Sequence, residues 1–402
     1  MRDARAHKLN CDESLRAPAC VRRLSLTRFR SYAQLDLDVD ARPVVLTGPN
    51  GAGKTNLLEA LSYLTPGRGL RGADLKELCW RAGGGAEREG PAPVPWAVSA
   101  RVESGAGGVQ VGTGLEIQAS GAARRLVRID GAPASGPVAL GGFVRMVWLT
   151  PAMDRLFMDG ASGRRRFFDR LVLAFDTGHA ARVGAYEKAL RERQRVLKNP
   201  GWDGLWLEAL EKIMAENGVA VAAARNETMQ RLRAAVDRQG FSVFPKPALD
   251  LEGDLEVSLR AAPAVEVEDA FRRDLAGRRR RDAEAGRCLS GAHRTDLVVC
   301  HGQKNVPART CSTGEQKALL IAIVLAHARG LSAMRGRQMP VLLLDEIAAH
   351  LDDIRRTALY DEICASHCQA WMTGTDRSLF RSLGGRAQYL TVSGGKVQAG
   401  IG

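Results

Sequence analysis

The sequence predicts an α/β nucleotide-binding fold with mixed sheets, split by an inserted lobe that is mainly helical. Three observations predict it: a complete phosphate-loop motif at 48–55, an apolar run that ends in two acids at 345–346, and helical periodicity between them. About 290 residues separate the two motifs, whereas compact phosphate-loop domains place them within roughly 100 residues. An insertion therefore has to divide the nucleotide-binding fold.

The first motif matches G-x-x-x-x-G-K-[ST] in full. It follows an apolar run at 43–47 that predicts a buried strand, and it precedes a helix start at 56–61. Glycines let backbone N–H groups converge on phosphate oxygens, and the helix N-terminus adds partial positive charge. Lys54 is expected to reach the β- and γ-phosphates of ATP, and the Thr55 hydroxyl to ligate Mg²⁺. The expected nucleotide-binding residues are Gly48, Pro49, Asn50, Gly51, Ala52, Gly53, Lys54, Thr55 and Asn56.

The second motif supplies carboxylates at the end of a strand. Four apolar residues at 341–344 predict a buried strand, and Asp345 and Glu346 follow it. Asp345 is expected to orient Mg²⁺ through its water shell. Glu346 is expected to polarise the attacking water as a general base. An apolar run with two acids is weak evidence alone, but after a complete phosphate loop it indicates the second half of an ATP site.

A third motif, at 311–317, opens a helix with Ser312 and Gly314. One interpretation is an ordinary capping box, with Ser312 as N-cap and Glu315 three residues later. The other is a second anion site. Since one ATP cannot occupy both loops in the same way, Ser312 and Gly314 would then meet the γ-phosphate held by Lys54 of a partner chain, within a two-fold dimer. Beside the other two motifs we favour this contact across the dimer, with Ser312 in a catalytic role.

Periodicity divides the chain into four parts. Residues 1–20 are expected to form a disordered basic leader, 21–150 the first part of the head, 151–285 the inserted lobe, and 286–402 the second part of the head. The elements predicted in the first part are hairpin strands at 21–29 and 35–39, a short helix at 73–80, a surface loop at 83–95, antiparallel strands within 96–149 and a central strand at 143–149.

The inserted lobe shows mainly helical spacing. Residues 164–171 are predicted to begin one helix, 183–197 to form a second, and 202–240 to form one or two further helices. The helices over 183–197 and 202–240 should pack as an antiparallel hairpin. Strand-like alternation follows at 241–259 and a basic helix at 266–282. The apolar stripe expected on the second hairpin helix consists of Trp206, Leu207, Leu210, Ile213 and Met214.

Composition bounds the partners and the compartment. A net charge of +13 and a pI near 9.7 favour a polyanionic partner, nucleic acid before anionic membrane, although a merely solvated basic surface is the alternative. No apolar run approaches ~18 residues and no secretory signal begins the chain, so we expect a cytoplasmic protein without a membrane partner. Cys364, His367 and Cys368 share a face if their segment is helical, but no second ligand pair follows, and we expect no zinc site.

The three motifs, in this order, resemble those of the ATP-binding-cassette (ABC) family. Flanking segments are similar to the RecF family of recombination-repair proteins. These segments are 26–32, 48–60, 66–71, 164–170, 290–297, the Ser312 motif and 343–347.

This resemblance implies an ABC-type phosphate-loop ATPase head like that of chromosome-maintenance proteins, without their long coiled coil. It implies an ATP-dependent homodimer that binds duplex DNA or single-strand/double-strand junctions, with slow, DNA-stimulated hydrolysis that releases the dimer. It also implies RecR and RecO as partners that help load the recombinase RecA onto gapped DNA.

Three features depart from the wider superfamily. Thr313 stands where Gly is usual and Cys311 where Leu is usual. The segment 370–376, which we predict as the last strand, has no histidine at the γ-phosphate sensor position. Thr373 and Thr375 are candidates to replace it, and slow hydrolysis is the alternative. No glutamine marks the loop after Leu149, which weakens an interpretation as a transporter.

Basic residues mark where DNA is expected to bind. Aromatic residues make up 5% of the chain, so contact with a duplex backbone fits better than base stacking, and binding should depend steeply on salt. Each arginine cluster also has a structural alternative. The cluster at 164–166 could form ion pairs at the start of a helix, and the cluster at 278–281 could be a solvated helix face. The role of 293–296 stays open. The candidate DNA-binding residues are Arg71, Arg164, Arg165, Arg278, Arg279, Arg280 and Arg294.

The leading hypothesis is therefore a DNA-repair ATPase. A structural DNA clamp that binds ATP with little turnover is the first alternative, because turnover depends on the geometry around Glu346. The nucleotide-binding subunit of a transporter is the second, and the basic lobe, the late position of Asp345 and the missing sensor histidine count against it.

Overall fold

A computed structural model describes residues 20–80, 94–104, 107–199, 201–238, 242–334, 340–349 and 351–400. The chain forms two compact units. The first comprises Met1–Met153, Phe241–Phe244 and Val324–Gly402, and the second comprises Asp154–Gly240 and Pro245–Ile323. The second unit takes in most of the range 151–285 and also 286–323; the domain boundaries drawn from sequence remain predictions. The expected leader, apart from Cys20, and most of the loop at 83–95 lie outside the described residues.

Most of the described strands lie before the first long helices, and the others are interspersed with the later helices. They are β1 (Cys20–Phe29), β2 (Tyr32–Asp38), β3 (Val44–Thr47), β4 (Ala97–Ser104), β5 (Gly107–Ile117), β6 (Ala123–Ile129), β7 (Ala132–Pro133), β8 (Met146–Leu149), β9 (Pro247–Glu252), β10 (Asp296–His301), β11 (Val306–Pro307), β12 (Val341–Leu344), β13 (Ala370–Gly374), β14 (Gln388–Ser393) and β15 (Lys396–Ala399).

The described α-helices are concentrated between β8 and β12. They are α1 (Lys54–Ser62), α2 (Ala161–Phe175), α3 (His179–Leu197), α4 (Gly204–Asp237), α5 (Asp254–Ala261), α6 (Ala264–Gly277), α7 (Arg279–Glu284), α8 (Thr313–Ser332) and α9 (Asp353–Ala365).

The first unit contains two six-stranded sheets. One is antiparallel, in the order β2-β1-β4-β5-β6-β7. The other, in the order β15-β14-β3-β13-β12-β8, is parallel apart from β15, which pairs antiparallel with β14. All four residues of β3 and of β12 are buried, as expected for parallel strands covered on both faces. Gln369 ties the two sheets together, because its side chain bonds to both backbone groups of Val21.

Three predictions in the first unit were wrong in detail. Only Met146–Leu149 of the range 143–149 forms a strand, and among the described strands it pairs with β12 alone, at the end of the sheet. Its apolar character reflects burial and not a central position. The helix predicted at 73–80 is one 3₁₀ turn, Leu75–Leu78. Two further strands, β14 and β15, follow the segment 370–376 that looked like the last strand.

The helical hairpin of the second unit is confirmed. The second segment is a single helix of 34 residues, α4, capped by Asp203, whose carboxylate accepts from two backbone N–H groups of the first turn. Arg193 of α3 bonds to Glu211 of α4, and Tyr186 of α3 packs against Gly218, so the pairing runs antiparallel. A three-stranded antiparallel sheet, β11-β10-β9, completes this unit.

The apolar stripe on α4 was partly wrong. Leu207, Leu210 and Met214 are buried at spacings of three and four, whereas Trp206 and Ile213 are 51% and 40% exposed. One residue along a helix rotates the side chain by about 100°, so the neighbours of buried positions turn towards solvent.

Two other segments of this unit also differ from the prediction. Within the described residues 242–259 only Pro247–Glu252 forms a strand, and α5 begins directly after Gly253. The basic helix at 266–282 is interrupted at Arg278, which has non-helical dihedrals (φ −95°, ψ 4°) after Gly277 and separates α6 from α7.

Candidate functional site

The phosphate loop connects β3 to α1, as the motif requires. Gly48, Gly51 and Gly53 have φ values of +148°, +78° and +111°, a region that favours glycine. A Cβ on Gly48 would lie 2.1 Å from the Val392 carbonyl oxygen, and one on Gly53 would lie 2.7 Å from Ser31 Oγ. The space over Gly51 holds no described atom within 4 Å of such a Cβ. The loop therefore forms an open backbone cradle of the kind that binds phosphate groups at a helix N-terminus.

Lys54 folds back over this cradle. It is 5% exposed, and its Nζ donates to the carbonyl oxygens of Gly48 (2.6 Å) and Pro49 (2.9 Å). Burial lowers the pKa of the Lys54 ammonium, and the charges of Glu346 and Asp345 oppose that shift. A buried ammonium whose bonding partners are neutral carbonyls is ready to pair with an anion.

The two motifs that lie far apart in sequence meet at Asp345. The Thr55 hydroxyl donates to Asp345 Oδ1 at 2.9 Å, and the Thr373 hydroxyl donates to the same oxygen at 2.8 Å. Asp345 is 7% exposed, and Glu346 beside it is half-buried. Glu346 also has a φ of +49°, which is uncommon for a residue other than glycine and concentrates at functional sites.

A buried carboxylate on α1 supports the loop from behind. Glu59 is fully buried, and Arg30 reaches both of its oxygens, at 2.9 and 3.0 Å. Arg71 bonds to Glu59 (3.2 Å) and to the side chain of Asn56 (3.0 Å), whose amide donates to Ser31 Oγ. Sequence reasoning missed the roles of Arg30 and Glu59; a carboxylate on the apolar face of α1 was the available signal.

Ser312 stands at the N-terminus of α8 and is exposed. Its backbone N–H and its hydroxyl both donate to Glu315 Oε2 at 3.0 Å, and Lys304 forms an ion pair with the same carboxylate group. The Lys304 pair is the largest cause that lowers the pKa of Glu315, to about 2. The capping box considered from sequence is thus present in the single chain. Gly314 is half-buried in the following turn.

The arginines expected to bind DNA fall into two groups: five whose side chains bond within the chain, and two whose side chains have no partner among the described residues. Arg164 pairs with Asp296 through two bonds (2.8 and 2.7 Å), Arg165 donates to the Thr295 carbonyl oxygen, and Arg278 and Arg279 pair with carboxylates. Arg71 bonds beside the phosphate loop, although its side chain is 43% exposed. Arg280 and Arg294 are exposed, and their side chains have no hydrogen-bond or ion-pair partner in the part of the chain that the structure describes.

The motif at 293–296 belongs to the core of the second unit. His293 Nε2 donates to the Cys288 carbonyl oxygen (3.0 Å), so Nδ1 accepts from the Tyr186 hydroxyl (2.8 Å). Burial lowers the pKa of His293, which favours the neutral ring. Thr295 donates to Glu256 and accepts from Arg225, which is 3% exposed. These contacts place His293 and Thr295 within the structural core of this unit.

The described residues include no group of three or more His, Cys, Asp or Glu that could hold a metal ion. Helix α9 ends at Ala365, before His367, so Cys364, His367 and Cys368 do not share a helix face as expected from sequence. No described helix is both long and apolar enough to cross a membrane.

Comparison with protein families places the chain in a known group. The model of the RecF/RecN/SMC N terminal domain matches residues 20–390. The DNA replication and repair protein RecF of Mesorhizobium japonicum is 52% identical over 378 residues, covering 94% of this chain and 97% of the relative. The protein of the same name from Caulobacter vibrioides is 50% identical over 378 residues, covering 92% and 96%.

Comparison with solved structures supports the fold. The recombination mediator protein RecF bound to ATP, in the RecFOR pathway, superposes with a TM-score of 0.78 at 21% identity, covering 96% of this chain and 98% of that chain. The Smc head domain of Pyrococcus furiosus, with an extended coiled coil and bound to the C-terminal domain of ScpA, gives a TM-score of 0.52 at 15% identity, covering 95% and 96%. At these identities the likeness establishes the fold, and the ABC-type ATPase head predicted from sequence is confirmed.

Proposed function

Because this chain belongs to the RecF family, we propose that it is a DNA-repair ATPase that forms an ATP-dependent dimer on double-stranded DNA or at single-strand/double-strand junctions in gaps. It hydrolyses ATP slowly, with weak stimulation by DNA, and helps recombination mediators load recombinase. The observation that carries the proposal is the convergence of Lys54, Thr55 and Asp345 around the open backbone cradle, with Glu346 next to Asp345.

ATP and Mg²⁺ suit the residues present. Glycine at 48 and 53 lets the loop of 48–55 pass close to Val392 and Ser31, where a side chain would clash. Lys54 offers an ammonium bonded to neutral carbonyls. Thr55 and Asp345 offer the oxygens that Mg²⁺ prefers, with Asp345 acting through water. When bound, Mg²⁺ would supply the charge that stabilises the phosphate oxygens.

Glu346 is the residue we assign as general base. A base must hold a carboxylate at a fixed place near the water it activates. Glu346 follows Asp345 directly, is half-buried and has a left-handed backbone that surrounding contacts must maintain. These properties favour a dedicated role over a surface carboxylate.

Dimerisation is proposed because one chain carries two anion-binding motifs. The phosphate loop belongs to the first unit, whereas Ser312 and Gly314 belong to the second. In a two-fold dimer, Ser312 of each chain would donate to the γ-phosphate held by the other, and the phosphate would replace Glu315 as acceptor of the Ser312 hydroxyl. ATP would then be part of the interface.

DNA is the proposed polyanion. The net charge of +13 favours it, and Arg280 and Arg294 are our leading phosphate contacts because they are exposed and unpaired among the described residues. Arg71 is a further contact. The remaining candidates would add positive charge to the surface while keeping their ion pairs or hydrogen bonds; they are Arg164, Arg165, Arg278 and Arg279. Family membership suggests RecR and RecO type mediators as partners and the cytoplasm as the place of action.

The test is sedimentation with and without ATP·Mg²⁺, alone and with a gapped duplex at two salt concentrations. We expect ATP to convert monomer to dimer and the dimer to bind DNA with a steep salt dependence. A Ser312→Ala variant should bind ATP but dimerise poorly. ATP binding without any dimer would reduce Ser312 to a helix cap and overturn the proposal.

Removal of Arg280 or Arg294 is expected to weaken DNA binding without changing stability. Each Ala variant should lose about one phosphate contact, so the slope of log K against log salt should fall by about 0.9. Arg191→Ala is the matched control, since Arg191 is 66% exposed on α3. Salt titrations of a fluorescent duplex measure the slope, and equal slopes for all three variants would remove Arg280 and Arg294 from the DNA site.

A further inference from the structure

Thr373 lies in the strand that separates the two halves of the proposed ATP site. Strand β13 pairs with β3, where Thr373 is opposite Leu46. On its other side it pairs with β12, where Met372 is opposite Leu344. The Thr373 side chain is fully buried at the carboxyl end of this strand. It therefore reaches the points where the phosphate loop and the carboxylate segment begin.

The Thr373 hydroxyl makes two bonds that differ in direction. It donates to Asp345 Oδ1 at 2.8 Å and accepts from the Glu346 backbone N–H at 2.8 Å. A hydroxyl has one hydrogen to donate, and here a carboxylate that only accepts takes it. While these bonds are made, Thr373 has no hydrogen left for a phosphate oxygen. Its position therefore suits the support of Asp345 and Glu346 better than contact with the γ-phosphate.

The bond to Glu346 coincides with the point where the chain leaves the sheet. The Asp345 N–H still donates to Leu149 of the neighbouring strand, at 2.8 Å. At the next residue the backbone turns to a φ of +49°, and the Glu346 N–H goes to the Thr373 side chain. A left-handed backbone at a residue with a side chain persists only where surrounding contacts hold it. Thr373 supplies such a contact.

We propose that Thr373 is a positioning residue for ATP hydrolysis: it aims the Asp345 carboxylate beside Thr55 and holds Glu346 in its left-handed conformation. It acts through these two residues and does not itself touch the nucleotide. The inference rests on the proposed ATPase function. The inference assigns this role to Thr373 and not to Thr375, because Thr375 is exposed and lies beyond the end of the strand.

The decisive comparison is between Thr373→Val and Thr373→Ser. Valine keeps the shape but removes both bonds, and serine keeps the hydroxyl. We expect Thr373→Val to lower the single-turnover hydrolysis rate by about 10- to 100-fold, as small displacements of catalytic groups do. It should also raise the Mg²⁺ concentration needed for half-maximal rate, while ATP-dependent dimerisation persists. Thr373→Ser should return the rate to within a few-fold of wild type.

Controls separate positioning from packing. Thr47→Val changes another buried threonine of the same sheet, whose hydroxyl lies 3.5 Å from the Leu390 carbonyl oxygen, and it should keep the wild-type rate. If Thr373→Val is not recovered folded, Thr373→Cys, with a weaker donor, should give a rate below that of serine. A cysteine variant as fast as serine would overturn the inference.

The outcomes also distinguish this inference from the proposed function. If the wild-type protein and a folded Thr373→Val variant hydrolyse ATP equally fast, the role of Thr373 is overturned and the ATPase proposal stands. Wild-type protein that does not hydrolyse ATP under any condition overturns the ATPase proposal and this inference with it. A slow Thr373→Val with an unchanged Mg²⁺ requirement and no rescue by serine would also contradict positioning through Asp345 and Glu346.

Discussion

Replacement of Glu346 by Gln is expected to slow ATP hydrolysis by about 10²- to 10⁴-fold, the usual contribution of a general base. The amide keeps the size of the side chain but cannot accept a proton from water. Binding of ATP should be retained, because Lys54 and the loop at 48–55 are unchanged. If hydrolysis releases the dimer, Glu346→Gln should therefore remain dimeric in ATP for much longer than wild type.

Two measurements check this expectation. Phosphate release in a single turnover gives the rate, and sedimentation after dilution of free ATP gives the dimer lifetime. Glu187→Gln is a matched control, because Glu187 is 56% exposed on α3. An unchanged dimer lifetime would show that ATP hydrolysis does not drive release of the dimer. Wild-type turnover already as slow as that of the variant would favour the structural clamp over the ATPase.

Replacement of Lys54 by Ala is expected to weaken ATP binding by about 100-fold and to abolish ATP-dependent dimerisation. Charge-assisted hydrogen bonds to phosphate are roughly twice as strong as neutral ones, and Lys54 is positioned to make them at the cradle. Burial lowers the pKa of Lys54, and a bound anion should oppose that shift because it favours the charged ammonium.

Equilibrium binding of a fluorescent ATP analogue and sedimentation in ATP measure the two effects of Lys54→Ala. Lys188→Ala, on the exposed surface of α3, is the control and should behave as wild type. Thermal unfolding without nucleotide shows whether the variant is folded. A folded Lys54→Ala that still dimerises in ATP would remove the phosphate loop from the mechanism.

The fold class and the local motifs of the proposed site could be predicted from residue patterns along the chain. The phosphate loop, the strand ending at Leu344 and the helix opening at Ser312 are contiguous segments whose conformation follows from glycine, apolar runs and capping residues. Their order indicated a divided head, and the solved structures confirm that fold. The antiparallel helical hairpin followed likewise from apolar spacing and the break at 199–201.

Which of these residues are in contact depends on the packing of elements that are distant in the chain. Strand order placed β13 between β3 and β12, and this brought Thr373 to Asp345 and Glu346, a contact that no local pattern marks. The same applies to Arg164, whose partner Asp296 lies 132 positions away along the chain. Local periodicity specifies a face of a helix or strand, but the partner of a polar side chain depends on how distant elements pack. For that reason the motifs could be read from sequence, whereas the side chains that hold them in place could not.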